Sequence, residues 1–210
     1  VTGSVENDFD RGSPVWKVSA VMATEVDSQA SLYDAGLINK AKVWNTIAWS
    51  DTKNQMQYAS SEEEDTARNL KVKYRTVIGE NHGRSLAIFP APHQYFYPLD
   101  EAFNLKFTWY GNYYRNMIPG FGMGIRQKPG GDNRFVPWFN APPGTQKRLN
   151  FFCLLSTDKA AIALQEVKKF THSDAYVALP GYKTMCSHFH NEFIMRVVLA
   201  GKLIPEHPSF

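Results

Sequence analysis

No stretch of about 18 consecutive apolar residues occurs in this sequence, so no transmembrane helix is encoded. Cysteine is nearly absent, and the two present, Cys153 and Cys186, each sit inside an apolar, strand-like run. That placement reads as two buried small hydrophobes, with a single disulfide as the alternative, and it leaves the redox compartment undetermined. Charge of one sign is also scarce. The net charge is +3, and the basic residues are scattered: Lys71, Lys73 and Arg75 alternate along one stretch, and Lys147 and Arg148 open another. Without a dense basic face, no nucleic-acid partner is expected. No Gly-x-Ser-x-Gly elbow surrounds Ser19, Ser50 or Ser187, which leaves serine hydrolysis without local support. Gly120-Phe121-Gly122-Met123-Gly124 lacks the Lys-Ser/Thr of a phosphate loop. Asp100 and Glu101 are neighbours, so on extended chain they face opposite ways and make a poor acid–base pair.

Aromatic residues, by contrast, are plentiful. They form 14% of the 210 residues, with 14 Phe, 10 Tyr and 5 Trp, inside a chain that is 43% hydrophobic, which is ample for a packed core between sheets. Short β-branched or alternating runs recur along it: Val15–Met22, Val43–Trp49, Leu70–Ile78, Ser85–Phe89, Phe103–Trp109 and the glycine-spaced Met117–Gln127. The polar turn Ser50–Asn54 joins Val43–Trp49 to Gln55–Tyr58 as a hairpin. Leu149–Leu155 is apolar on both faces, which places it in the middle of the sheet packing. Residues 1–13 are polar and expected to fray.

Helical signals are fewer. Ser28–Lys42 mixes Ala, Leu, Tyr and Ile with Gly36 and reads as a short helix ended by glycine. Lys159–Thr171 carries Ala160, Ile162, Ala163, Leu164, Val167 and Phe170 at helical spacing, behind an N-cap offered by Ser156-Thr157-Asp158. A last helical run, Asn191–Ala200, ends at Gly201. The pattern predicts a mainly β protein: an antiparallel β-sandwich over residues 14–156 with a few short helices, then a strand–helix extension over 157–210.

Two constellations carry chemistry. In Ser187-His188-Phe189-His190, two histidines one residue apart on a strand share a face and can grip one metal ion, with further ligands coming from elsewhere. The bland alternative is a pair of partly exposed strand-end histidines. Cys186 falls on the same face, as a third ligand or as filler. The second set is aromatic and polar: His93, Tyr95, Phe96, Tyr97, Trp109, Tyr110, Tyr113, Tyr114, Arg115 and Trp138. Tyr and Trp rings beside Asn112 and Arg115 suit a sugar, which offers an apolar C–H face and a rim of hydroxyls. Within the set, Tyr113, Tyr114, Arg115 and Trp138 lie in apparent loops and are the candidate ligand-binding residues; the rest fit a sandwich core equally well. Glu62, Glu63, Glu64 and Asp65 read as a solvated loop.

The stretch Leu179–His190 resembles the entry strand of PHP-type and amidohydrolase-like metal-dependent hydrolases, in which an HxH supplies two ligands at the end of the first barrel strand. More loosely, Trp49–Asp51, Lys73–Ile78, Phe96–Asp100 and Leu179–Lys183 are similar, in order, to segments of bacterial proteins in which a β-rich region precedes such a barrel. The resemblance implies that His188 and His190 hold a divalent ion, Zn²⁺ or Mn²⁺, which activates water. The family's later ligands have no counterpart before Phe210. The expectation is therefore an accessory β-sandwich of a metal-dependent hydrolase acting on carbohydrate or a related substrate, joined to the start of a truncated barrel, with little activity of its own. A missing C-terminal domain or a second copy of the chain would cover the remaining apolar surface. The alternative is a stand-alone carbohydrate-binding β-sandwich with structural histidines.

Overall fold

Strands that are apolar on both faces need cover on both sides, and this requirement organises the chain. A computed structural model describes residues 1–31, 34–62, 66–92, 105–126, 139–175 and 180–183. The chain divides into two compact units, Val1–Tyr176 and Val177–Phe210; within the second, the described residues are 180–183. In chain order the elements are β1 (Thr2–Phe9), β2 (Val15–Ala23), β3 (Ala30–Ser31), β4 (Asp34–Asn39), β5 (Thr46–Ser50), β6 (Met56–Ser60), β7 (Arg68–Lys71), β8 (Val77–Asn81), β9 (Arg84–Phe89), β10 (Leu105–Tyr114), β11 (Ile118–Arg126), β12 (Phe139–Asn140), β13 (Lys147–Ser156) and α1 (Ala160–Thr171).

The strands form a seven-stranded sheet in the order β1-β2-β13-β9-β8-β5-β6, a four-stranded sheet β4-β11-β10-β7 and a small pair β12-β3. Every pairing between these strands is antiparallel. The protein is thus mainly β and sandwich-like, as the sequence predicts. Alternate residues of the central strands separate into two cores. Ile47, Val77, Leu86, Ile88 and Cys153 face inward to meet Leu70, Tyr110, Phe121, Met123 and Ile125 of the four-stranded sheet. Ala48, Ile78, Ala87, Phe89 and Leu154 face outward and are covered by Ala160, Ala163, Leu164 and Val167 of α1. The layers run four-stranded sheet, seven-stranded sheet, helix. No helix among the described residues is long and apolar enough to cross a membrane.

Helix α1 lies where the periodicity places it, although Ile162 points to solvent at 51% exposure. Its cap is not local. Lys159 stands at the N-cap without a side-chain bond, and the Ala160 N–H donates instead to Glu80 Oε2 of β8 at 2.8 Å. Ser85 Oγ of β9 donates to the Asp158 carbonyl at 2.7 Å. The sheet holds the helix start, and α1 belongs to the first compact unit, Val1–Tyr176.

Three local expectations are corrected. Ser28–Lys42 is not a helix: it supplies β3 and β4, and β4 pairs residue by residue with β11 from Asp34↔Arg126 to Asn39↔Phe121. Gly36 serves close packing rather than a helix end, since a Cβ there would lie 2.6 Å from Trp109 Cζ2 and from the Met123 carbonyl oxygen. Leu70–Ile78 is not one strand with a wet face. The chain leaves the four-stranded sheet after Lys71 and enters the seven-stranded sheet at Val77. In between, the Arg75 side chain is buried (5% exposed) and ion-paired with Asp174 (8%) at 3.4 Å. The Arg75 N–H also donates to Asp174 Oδ2 at 2.9 Å, and its guanidinium donates to the Pro92 carbonyl. Residues 1–13 do not fray. β1 pairs with β2 along its whole length, helped by an Asp8–Lys17 ion pair at 2.7 Å, a Glu6–Arg148 pair and the stacked rings of Phe9 and Trp16.

Candidate functional site

The antiparallel register aligns residues far apart in the chain into rows across the inner face of the seven-stranded sheet. Leu155 of β13 pairs with Leu86 of β9, Leu86 with Gly79 of β8, and Gly79 with Ile47 of β5. Residues directly opposite one another project to the same side. Leu86 is buried but Leu155 is 60% exposed, so the four-stranded sheet does not reach over this end of the row. At the other end Trp44 lies over Gly79: a Cβ at Gly79 would fall 2.5 Å from Trp44 Cδ2 and 2.8 Å from Cε3. A glycine in mid-strand here makes the room that seats the indole.

The next inner-facing row is polar. Asn81 of β8 pairs with Arg84 of β9 across the tight turn His82-Gly83, where φ is +49° at His82 and +74° at Gly83. Positive φ at both central residues is the geometry of a two-residue hairpin turn, and it holds His82 and Arg84 at the sheet end. Asn81 Nδ2 donates to the Val43 carbonyl at 2.6 Å, which ties the Trp44 segment to β8. Asn81 Oδ1 is buried and makes no hydrogen bond among the described residues.

These rows enclose an open cleft of about 760 Å³, lined by Trp44, Asn81, His82, Arg84, Ser85, Leu86, Leu155, Ser156 and Thr157. Its volume lies in the range of small-molecule sites. The floor is aliphatic with one indole, and the rim carries amide, imidazole, guanidinium and hydroxyl groups. Such a surface can hold a ligand with an apolar face and a polar edge. The side chains of His82 and Arg84 are exposed and are not engaged by other described residues.

The residues singled out from the sequence fall elsewhere. Tyr113 and Tyr114 are the last residues of β10 and Arg115 opens the turn into β11, with φ of +50° at Tyr113 and +53° at Arg115. Tyr113 is exposed, whereas Tyr114 is a core ring, 7% exposed and stacked on Trp109 with centroids 4.2 Å apart. Its face is therefore filled by Trp109 and is not a platform for a ligand. Arg115 lies over the Tyr114 ring at 5.9 Å and pairs with Asp34 at 2.8 Å. Trp138, His93 and Tyr95–Tyr97 lie outside the described residues, as do His188, His190, Cys186 and the helix expected at 191–200. Among the described residues no group of three His, Cys, Asp or Glu side chains could hold a metal ion. Cys153 is a free, buried thiol; burial pushes its pKa up to about 12, which suits packing rather than nucleophilic work.

Sequence reasoning missed the cleft. Trp44 reads as one more residue of the apolar run Val43–Trp49, and no role is read for residues 79–84. The available signals were Gly79 inside a β-branched run and a Gly-containing turn flanked by two apolar strands. No protein-family model matches the chain, and neither the curated proteins nor the solved structures contain a match to it.

Proposed function

We propose that this chain is a carbohydrate-binding β-sandwich domain whose ligand seats in the Trp44 cleft. The observation that supports the reading is the juxtaposition, on one open face, of an apolar row (Leu155, Leu86 and the indole over Gly79) and a polar row (Asn81 and Arg84 beside His82). A pyranose has the matching form, with C–H bonds that pack on an indole or on aliphatic carbon and hydroxyls that exchange hydrogen bonds with amide, hydroxyl and guanidinium groups.

A glycan panel followed by calorimetry tests it. Leu155→Glu places a charge on the exposed floor without disturbing the buried core, and Trp44→Ala removes the ring. The expected result is binding by the parent chain that both variants weaken at least roughly tenfold, since each removes apolar contact of the kind worth more than about 1.4 kcal/mol. Leu155→Glu should melt at the parent temperature, which separates lost binding from lost fold. Binding that survives both substitutions would overturn the assignment of the cleft.

The metal-hydrolase reading is a separate proposal supported by the spacing of His188 and His190. It expects Zn²⁺ or Mn²⁺ in the purified chain and its loss from His188→Ala/His190→Ala; equal metal content in the two would end it.

A further inference from the structure

We propose that the ligand of this cleft is an acidic carbohydrate, gripped through a carboxylate by Arg84 with His82 beside it. The proposal rests on the carbohydrate reading above and narrows it to a substrate class. Among the described residues, the charged or titratable side chains that line the cleft are Arg84 and His82, and no carboxylate is among them. The closest acidic groups along the chain belong elsewhere. Glu80 projects to the opposite face of the sheet, where its Oε2 accepts the Ala160 N–H, and Asp158 is not among the described lining residues.

Register explains this separation of charge. Glu80 and Ser85 pair with each other and face α1, whereas Asn81 and Arg84 pair one step further on and face the cleft. The alternation along β8 and β9 sends the acid to the helix side and leaves the base on the open side. A neutral ligand would leave the guanidinium fork to water. A carboxylate matches it in two parallel N–H···O bonds, a planar geometry that a point charge or a hydroxyl does not reproduce. A bare inorganic anion would not use the Leu86, Leu155 and Trp44 floor, so the ligand must carry both an apolar face and the acid, as a uronic acid residue does.

Calorimetry with short oligomers of galacturonate, glucuronate and mannuronate, each beside its carboxyl-reduced neutral counterpart and a sulfated neutral oligosaccharide, tests this. At least one uronate should bind roughly 10- to 100-fold more tightly than its reduced form, the range that a charge-assisted hydrogen-bond pair supplies. That preference should shrink as salt is added and disappear in Arg84→Gln, which should lose far more affinity for the uronate than for the reduced form. Equal binding of acidic and reduced sugars would overturn the inference and leave the carbohydrate reading standing. Tighter binding of the sulfated sugar would overturn the carboxylate assignment, as would a uronate preference that persists in Arg84→Gln. Failure of every sugar to bind would overturn both readings.

Discussion

Replacing Gly79 by alanine tests the seat of Trp44 directly. The added Cβ would lie 2.5 and 2.8 Å from two atoms of the indole and 2.9 Å from Met123 Cε. The methionine methyl ends a flexible chain and can turn aside. The ring cannot, because it packs on the inner core and its segment is tied to β8 through Asn81 and the Val43 carbonyl. Overpacking of this kind costs about 1–3 kcal/mol. Against it stands a gain of about 0.5–1 kcal/mol from removing a glycine from a strand interior. The net expectation is a loss of about 1–2 kcal/mol, or roughly 2–8 °C in Tm for a unit of this size. Thermal and urea unfolding followed by circular dichroism measure it, in a double-mutant cycle with Trp44→Ala. In the Trp44→Ala background the space is free, so Gly79→Ala should be neutral or mildly stabilising. An unchanged or raised Tm for Gly79→Ala alone would refute the packing argument. So would an equal loss in both backgrounds, because the collision would then not involve the indole.

Other outcomes rest on the same geometry. Glu80→Ala leaves the Ala160 N–H without its carboxylate cap and should cost about 0.5–2 kcal/mol in urea unfolding, with some loss of helical ellipticity; no change would place the helix cap elsewhere. Asp174→Ala removes the carboxylate paired with the buried Arg75 guanidinium and should cost up to about 3–5 kcal/mol, part of which the double variant Arg75→Met/Asp174→Ala recovers; a single variant as stable as the parent would contradict the buried pair. In a Cys186→Ser background, Cys153 should resist thiol reagents at neutral pH in the folded state and react freely in denaturant. Because burial raises the folded pKa of Cys153 to about 12 from an ordinary value of 9.0, its contribution to stability is full below pH 9 and declines as pH rises toward 12. Unfolding titrations across that window should show a steeper alkaline loss than in Cys153→Ala.

Much of the architecture is legible from local pattern. Leu149–Leu155 and Ser85–Phe89 carry apolar residues on both faces and become part of β13 and β9, central strands with a core on either side. The polar Ser50–Asn54 segment is the turn of the β5–β6 hairpin, where Asp51 Oδ1 accepts from the Lys53 and Gln55 N–H groups and Asn54 takes φ of +63°. Spacing of Ala160, Ala163, Leu164 and Val167 identifies the face of α1 that is buried. Elsewhere the local pattern misleads. Gly36 resembles a helix stop because its real neighbour, Trp109, is 73 positions away and invisible to a short window. Lys71, Lys73 and Arg75 alternate like the wet face of one strand because the chain switches sheets there while Arg75 finds a buried acid at Asp174.

The candidate site belongs wholly to this second category. Alternation along one strand is a property of neighbouring residues, so the sequence alone determined a mainly β chain, its most apolar strands and its principal helix. Which strand lies beside which, and in what register, depends on pairings between residues far apart in the chain. Only that tertiary choice put Trp44 over Gly79, lined Leu86 up with Leu155, and turned Arg84 to open water while Glu80 was sent behind the sheet to cap a helix. A shift of one residue in either pairing would exchange the two faces, and with them the cleft.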